Sequence, residues 1–436
     1  MPPMKAGLGR FLWLWLVPLI IFIAGLKRAF LTGQADPWDW ALPAALLLAG
    51  AGWLLARREW AMLGWVALGG VGMALIFCAV AAGRAPDALA ATGLLAVASL
   101  AMFGGASLNP RPFASSEVEK RPAPPMRFST RSKRTALGIG LIVFATILLW
   151  RGPTQPVQPA PDRPSLAVIT GLPLFWSESG QGGPQDAPIV TVLRTRFTIM
   201  PMDDPSQLAT SGTRRLLLAQ PRALTPTQLV AIDRWVRDGG TILVLADPLL
   251  RWPSDLPLGD RRRAPSAALL QPLLDHWGFR PLAIKDDEIR YRTPDGYVVT
   301  LSGVQAYQTG VDDRWVGPND WVVLRKRVGK GEVLLLGDAD PIDDRLWLAD
   351  PARPLDPGCW VADTPARVVH WLGGAPVSGD RRWMRESRDV GAALRWAVLV
   401  GTIWGMMGAI LLHWVPLLFM LRTKKEHAAL EYDKTG

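Results

Sequence analysis

Six stretches of this chain are apolar over lengths close to what a helix needs to cross a bilayer, about 20 residues with a lower limit near 17. They fall at roughly 11–26, 39–56, 60–82, 88–107, 135–150 and 391–421. The fifth, "TALGIGLIVFATILLW", is short. A bilayer offers no water to satisfy backbone N–H and C=O groups, so runs of this kind fold as helices that satisfy their own. The sequence therefore predicts six α-helical spans, with one long polar interval between the fifth and the sixth. Lys27 and Arg28 follow the first run directly and no small-x-small cleavage site is seen, so that run reads as a retained helix.

The basic residues report how such a chain threads. Net charge is +10, yet between Arg151 and Arg388 there are 29 Lys/Arg against 28 Asp/Glu. The surplus lies beside the apolar runs. Segment 108–134 carries Arg111, Lys120, Arg121, Arg127, Arg131, Lys133 and Arg134, and the tail carries Arg422, Lys424 and Lys425. Basic residues resist translocation and stay on the cytoplasmic side. An amino terminus placed inside, with Lys5 and Arg10, puts Arg57, Arg58, the 108–134 segment and the tail inside as well. Lys27, Arg28 and Arg84 fall outside against the rule, but they are fewer. This predicts a multi-pass bacterial inner-membrane protein with both termini cytoplasmic and residues 151–388 periplasmic. Its partners would include membrane lipid and no nucleic acid.

The predicted order is four spans in 1–107, a cytoplasmic basic loop over 108–134, a fifth span at 135–150 and a Pro-rich linker over 151–164. A periplasmic domain at 165–388, a sixth span at 391–421 and a cytoplasmic tail at 422–436 complete it. The linker "RGPTQPVQPAPDRP" reads as a stiff, extended spacer. From Ser165 onward apolar strand runs alternate with amphipathic helices. "SLAVIT", "FTIMPM", "RRLLLAQP", "TILVL" and "GEVLLLGDAD" read as strands, and a short helix lies near 188–196. Thr225 and Pro226 open a helix at its N-cap and first helical position, and Gly239-Gly240 closes it. Within it Leu229, Ile232, Trp235 and Val236 share one face. "PSAALLQPLLDHWGF" predicts another helix, "DTPARVVHWLGG" a capped final one, and 288–327 a set of short antiparallel strands inserted between the halves. Continuous apolar strands are those buried on both faces of a parallel sheet. The expected fold is thus a three-layer, mostly parallel α/β domain with a flavodoxin-like layout.

Three places could carry chemistry. The stretch "AIDRWVRDGGTILVLADPLL" ends a buried strand on Ala246-Asp247-Pro248, at the sheet edge where open α/β folds bind ligands. "GDADPIDDRLW" places Asp338, Asp340, Asp343 and Asp344 after another buried strand, either as oxygen ligands for a hard cation or as caps of a turn. "SESGQGG" puts Ser179 and Gly180 in the first strand-to-helix loop, where backbone N–H groups could cradle an anion. No Walker motif, dinucleotide fingerprint or G-x-S-x-G elbow is present, so the chain is not itself expected to be an ATPase. Cys78 and Cys359 show no metal-type spacing, and no cofactor or metal is expected. His413, inside the last apolar run, reads as a packing residue.

The helix ending in Gly-Gly, the apolar strand and Asp247-Pro248, together with "GKGEVLLLGDAD", resemble the exported domain of the GldG-like family. These are membrane-anchored auxiliary components of ABC-type, gliding-type transport systems related to class I glutamine-amidotransferase-like domains. Enzymes of the amidotransferase group place a cysteine in a glycine-flanked elbow where this chain has Ala246, Asp247 and Pro248. The resemblance implies a non-catalytic accessory subunit working beside an ABC-type permease and its ATPase. Asp247, Asp338, Asp340, Asp343, Ser179 and Gly180 would then be ligand-binding candidates, none of them catalytic. Four leading spans depart from the family's usual pattern. A metal-assisted periplasmic hydrolase or transferase, and a free-standing envelope sensor or scaffold, remain the alternatives.

Overall fold

The computed structural model describes residues 2–55, 60–109, 128–178, 185–309, 323–377 and 381–432. The chain divides into two compact units, Met1–Thr154 together with Arg381–Gly436, and Gln155–Asp380.

The first unit is helical: α1 (Pro2–Thr32), α2 (Ala41–Leu55), α3 (Trp60–Ala82), α4 (Ala88–Leu108), α5 (Phe128–Arg151) and the closing helix Ser387–Tyr432. Among the described residues six segments are helical, long and apolar enough to cross a membrane: Phe11–Thr32, Pro37–Leu55, which starts in a 3₁₀ turn before α2, Ala61–Ala82, Ala88–Leu108, Ser132–Arg151 and Ser387–Leu412. Small residues let the backbones approach, as is usual where apolar helices pack on one another. A Cβ on Gly52 would lie 2.2 Å from the Met102 carbonyl oxygen, and one on Gly105 would lie 2.0 Å from that of Ala49, which joins α2 to α4. Trp65 and Trp404 stack with centroids 4.2 Å apart, and each indole donates to the other's carbonyl, at 2.9 and 3.0 Å. This staples α3 to the closing helix.

The second unit is built on a six-stranded sheet. Its strands are β1 (Ser165–Thr170), β2 (Thr198–Pro201), β3 (Arg215–Ala219), β4 (Thr241–Leu245), β7 (Val323–Val328) and β8 (Gly331–Leu336), in spatial order β2-β1-β3-β4-β8-β7. All neighbours are parallel except β7 with β8. Successive side chains of a strand point to opposite faces. Leu166, Val168, Leu217, Leu243, Leu245, Leu334 and Leu336 enter one core, while Ala167, Ile169, Leu216, Leu218, Ile242, Val244, Val333 and Leu335 enter the other. Both faces being buried, β1, β3, β4 and β8 have no polar alternation. Helices α6 (Pro188–Leu193) and α10 (Thr364–Trp371) line the first core; α7 (Pro226–Arg237) and α8 (Gln271–His276) line the second. The result is a three-layer, mostly parallel sheet domain.

Helix α7 forms as its sequence requires. Thr225 and Gln228 close a reciprocal capping box, and Ile232, Trp235 and Val236 are buried. Gly240 has no room for a side chain, because a Cβ there would sit 2.4 Å from the Trp235 ring.

Three elements differ from expectation. The helix expected over residues 265–279 shortens to Gln271–His276, since Pro265 and the residues around it form part of a long loop. The inserted strands are one long hairpin, β5 (Arg280–Arg292) with β6 (Val298–Gln308), and β7 leaves it to pair with β8. Asp363 does not cap α10, because its carboxylate accepts from the Val298 N–H at 2.9 Å.

Candidate functional site

The register of the central strands assembles the site. β4 pairs β8 with Leu245 opposite Leu336. Two residues beyond each of them, at the carboxyl edge of the sheet, stand Asp247 and Asp338. Asp340 follows in a 3₁₀ turn, Asp340–Ile342. Among the described residues these three carboxylates bring oxygens within 4.8 Å of one another, and all three are buried.

Backbone N–H groups hold each carboxylate in place. Asp247 accepts from Leu249 at 2.7 Å and from Ala339 at 3.3 Å. Asp338 accepts from Ser302 at 2.6 Å and from Asp340 at 2.9 Å, and Asp340 accepts from Arg251 at 2.9 Å. The cluster thereby ties three segments to the sheet edge: the long loop after β4, the hairpin strand β6 and the turn after β8.

Gln220, just past the end of β3, completes the frame. Its side-chain oxygen accepts from Asp247 N–H at 3.0 Å, and its amide donates to the carbonyls of Asp247 and Pro265 at 3.0 and 3.1 Å. It is fully buried and takes a φ of 44°, the left-handed region that costs a non-glycine residue about 1 kcal/mol or more. Sequence reasoning passed over Gln220. The only signal was a polar residue ending an apolar strand ahead of Pro221.

Burial disfavours the charged form of each acid. It raises the pKa of Asp340 to about 7, with Asp247 and Asp343 adding to the rise and the Arg251 N–H and Arg345 opposing it. It also holds Asp338 well above the ordinary carboxylate value, an effect the neighbouring Asp247 reinforces. Asp247 is raised by the same burial, against its backbone hydrogen bonds and one from Asp338. Burial thus favours the protonated form of Asp338, beside which Asp247 is the better hydrogen-bond acceptor. Three acids this close can share protons, or can offer oxygens to a hard cation.

The other candidates go elsewhere. Asp343 caps the turn α9 (Asp344–Trp347), accepting from Arg345 N–H at 3.0 Å, and pairs with the Arg345 guanidinium. Asp344, partly buried, also lies outside the trio. Ser179 and Gly180 fall outside the described residues. Cys78 and Cys359 are both buried and unbridged.

Fold and site together define a class: a chain of six long apolar helices carrying a three-layer α/β domain with a buried acid cluster at its sheet edge. Residues 163–298 match the family described as an ABC-type uncharacterized transport system. The match spans β1 to the start of β6, so it takes in Gln220 and Asp247 and stops before Asp338. It agrees with the transport-system resemblance carried by the Gly-Gly and Asp-Pro motifs. No curated protein matches the chain.

Among solved structures, an exo-β-1,4-mannosidase from Opitutaceae bacterium strain TAV5 is 14% identical, with a TM-score of 0.26 over 57% of this chain and 45% of the other. A β-galactosidase from Bacillus circulans sp. alkalophilus is 10% identical, with a TM-score of 0.28 over 57% and 35%. A cytoplasmic protein from Salmonella typhimurium is 12% identical, with a TM-score of 0.25 over 49% and 99%. The chain thus spans less than half the length of these glycosidases. Likenesses this slight assign neither fold nor chemistry.

Proposed function

We propose that this protein is an accessory subunit of an ABC-type transport system, anchored in a bacterial inner membrane by six helical spans. Its α/β domain stands on the periplasmic side and recognises a partner or envelope ligand without altering it. The observation that carries this reading is the match of residues 163–298 to a transport-system family, in a chain whose remaining bulk is apolar helix. The sheet edge supports a non-catalytic role. The place after β4 holds Asp247 and Pro248 in place of a nucleophile elbow, and Asp247 is closed off from solvent with its oxygens engaged. Proline also restricts the residue before it to extended backbone, which disfavours a strained elbow.

The GldG-like and amidotransferase-like affinities belong to the same proposal, supported by the parallel sheet and the Gly-Gly and Asp-Pro motifs. The test is isolation of the tagged full chain from its native membrane in mild detergent. Recovery with an ATP-binding subunit and a permease supports the reading; recovery of the chain alone refutes it.

A further inference from the structure

The amino edge of the sheet, opposite the acid cluster, holds an arrangement that recognition does not require. The chain enters the second unit at Gln155 and leaves it at Asp380, and its two end segments, at 158 and at 375–377, come to Arg196, between α6 and β2. Arg196 is buried, with 7% of the residue exposed. Its Nη1 donates to the Gln158 carbonyl at 2.7 Å, and to the Thr195 carbonyl and hydroxyl at 3.1 Å. Its Nε donates to the carbonyls of Ala375 and Pro376 at 3.1 Å. Its Nη2 donates to those of Pro376 and Val377, at 2.9 and 3.3 Å. Among the described residues no carboxylate pairs with it, so a buried cation is neutralised by carbonyl dipoles and one hydroxyl. That is a costly choice unless the geometry itself is needed. Only the planar five-donor fork of arginine reaches so many acceptors at once.

Neighbouring contacts fasten the same two segments. Val157 N–H donates to the Leu355 carbonyl at 2.7 Å and Ala160 N–H to that of Thr195 at 2.8 Å. Arg215, at the start of β3, donates to the Leu372 carbonyl at 2.9 Å. Val157 and Val377 share one core. The Pro-rich stretch is therefore docked on the domain from Val157 onward, and only its first residues can act as a spacer.

We propose that Arg196 is a clasp that fastens the entering and leaving segments of the domain to one another at the amino edge of its sheet, so that neither peels away without loosening the other. The inference concerns how the domain is held and stands apart from the transport-system reading. It is tested by backbone hydrogen exchange on the full chain in detergent, comparing wild type with Arg196→Gln and Arg196→Lys. Exchange in 155–160 and in 373–377 should accelerate together, by about tenfold or more in Arg196→Gln, with β1, β3, β4 and β8 unchanged. Arg196→Lys keeps the charge but has three donors and no fork, so it should give the same paired pattern at smaller amplitude. It carries the test if Arg196→Gln does not fold. Acceleration of one segment alone, of neither, or of the whole sheet would overturn the clasp.

Discussion

Asp340→Asn is the substitution whose effect can be worked most fully from the structure. The Asp340 carboxyl titrates near 7 in the fold, against 3.8 for the free side chain. The folded state therefore binds more protons than the unfolded state between those values, and stability falls as pH rises through that window. The decline begins near pH 4 and levels off above about 7. Its ceiling is about 4 kcal/mol, from roughly three pH units at about 1.4 kcal/mol each. Asp247 and Asp338 are raised in the same direction, so the wild-type profile should be at least this steep. An asparagine at 340 keeps an oxygen for the Arg251 N–H and removes the titration. The expected outcome is a domain that gains stability at pH 8, changes little at pH 5 and shows a flatter slope between them. Denaturant unfolding of the full chain in detergent at both pH values, followed by tryptophan fluorescence, measures this. An unchanged slope in the variant, or a wild type more stable at pH 8 than at pH 5, would refute the burial argument.

Gln220→Ala removes an amide that satisfies the buried N–H and C=O of Asp247 and the half-buried C=O of Pro265, so it should destabilise the domain by about 1–3 kcal/mol for each buried group left unpaired. Hydrogen exchange should then rise first in the loop after β4; a loss confined to other regions would contradict the frame described for Gln220. Millimolar Ca²⁺ or Mg²⁺ should leave the midpoint unchanged at pH 8, because backbone N–H groups already engage the oxygens of all three acids. A calcium-dependent rise at pH 8 that disappears at pH 5 would instead make the cluster a cation site.

Parts of the fold were legible because burial on both faces leaves a plain signature. The runs at β1, β3, β4 and β8 have no polar alternation, and Thr225, Pro226 and Gly239 punctuate α7 as capping physics requires. β7 was misplaced because Arg325, Lys326 and Arg327 make it look like a strand of a solvated hairpin, when it is the outer strand of the main sheet. Asp247 and Asp338 each announced themselves at a strand end, but only the pairing of Leu245 with Leu336 shows that the two ends coincide. Asp343 lies close by in sequence and still turns away, because the start of α9 needs an acceptor for its first N–H groups. Nothing local marked Arg196, and Gln220 showed only as a polar residue after an apolar strand, since both roles depend on carbonyls supplied by segments far along the chain.

The central claim is that this chain works as one subunit of a transport assembly. Native mass spectrometry of the tagged protein released from its own membrane tests it most directly. The account predicts a species that holds this 47.6 kDa chain together with an ATP-binding subunit and a permease. A spectrum containing only the chain, or multiples of its mass, would contradict it.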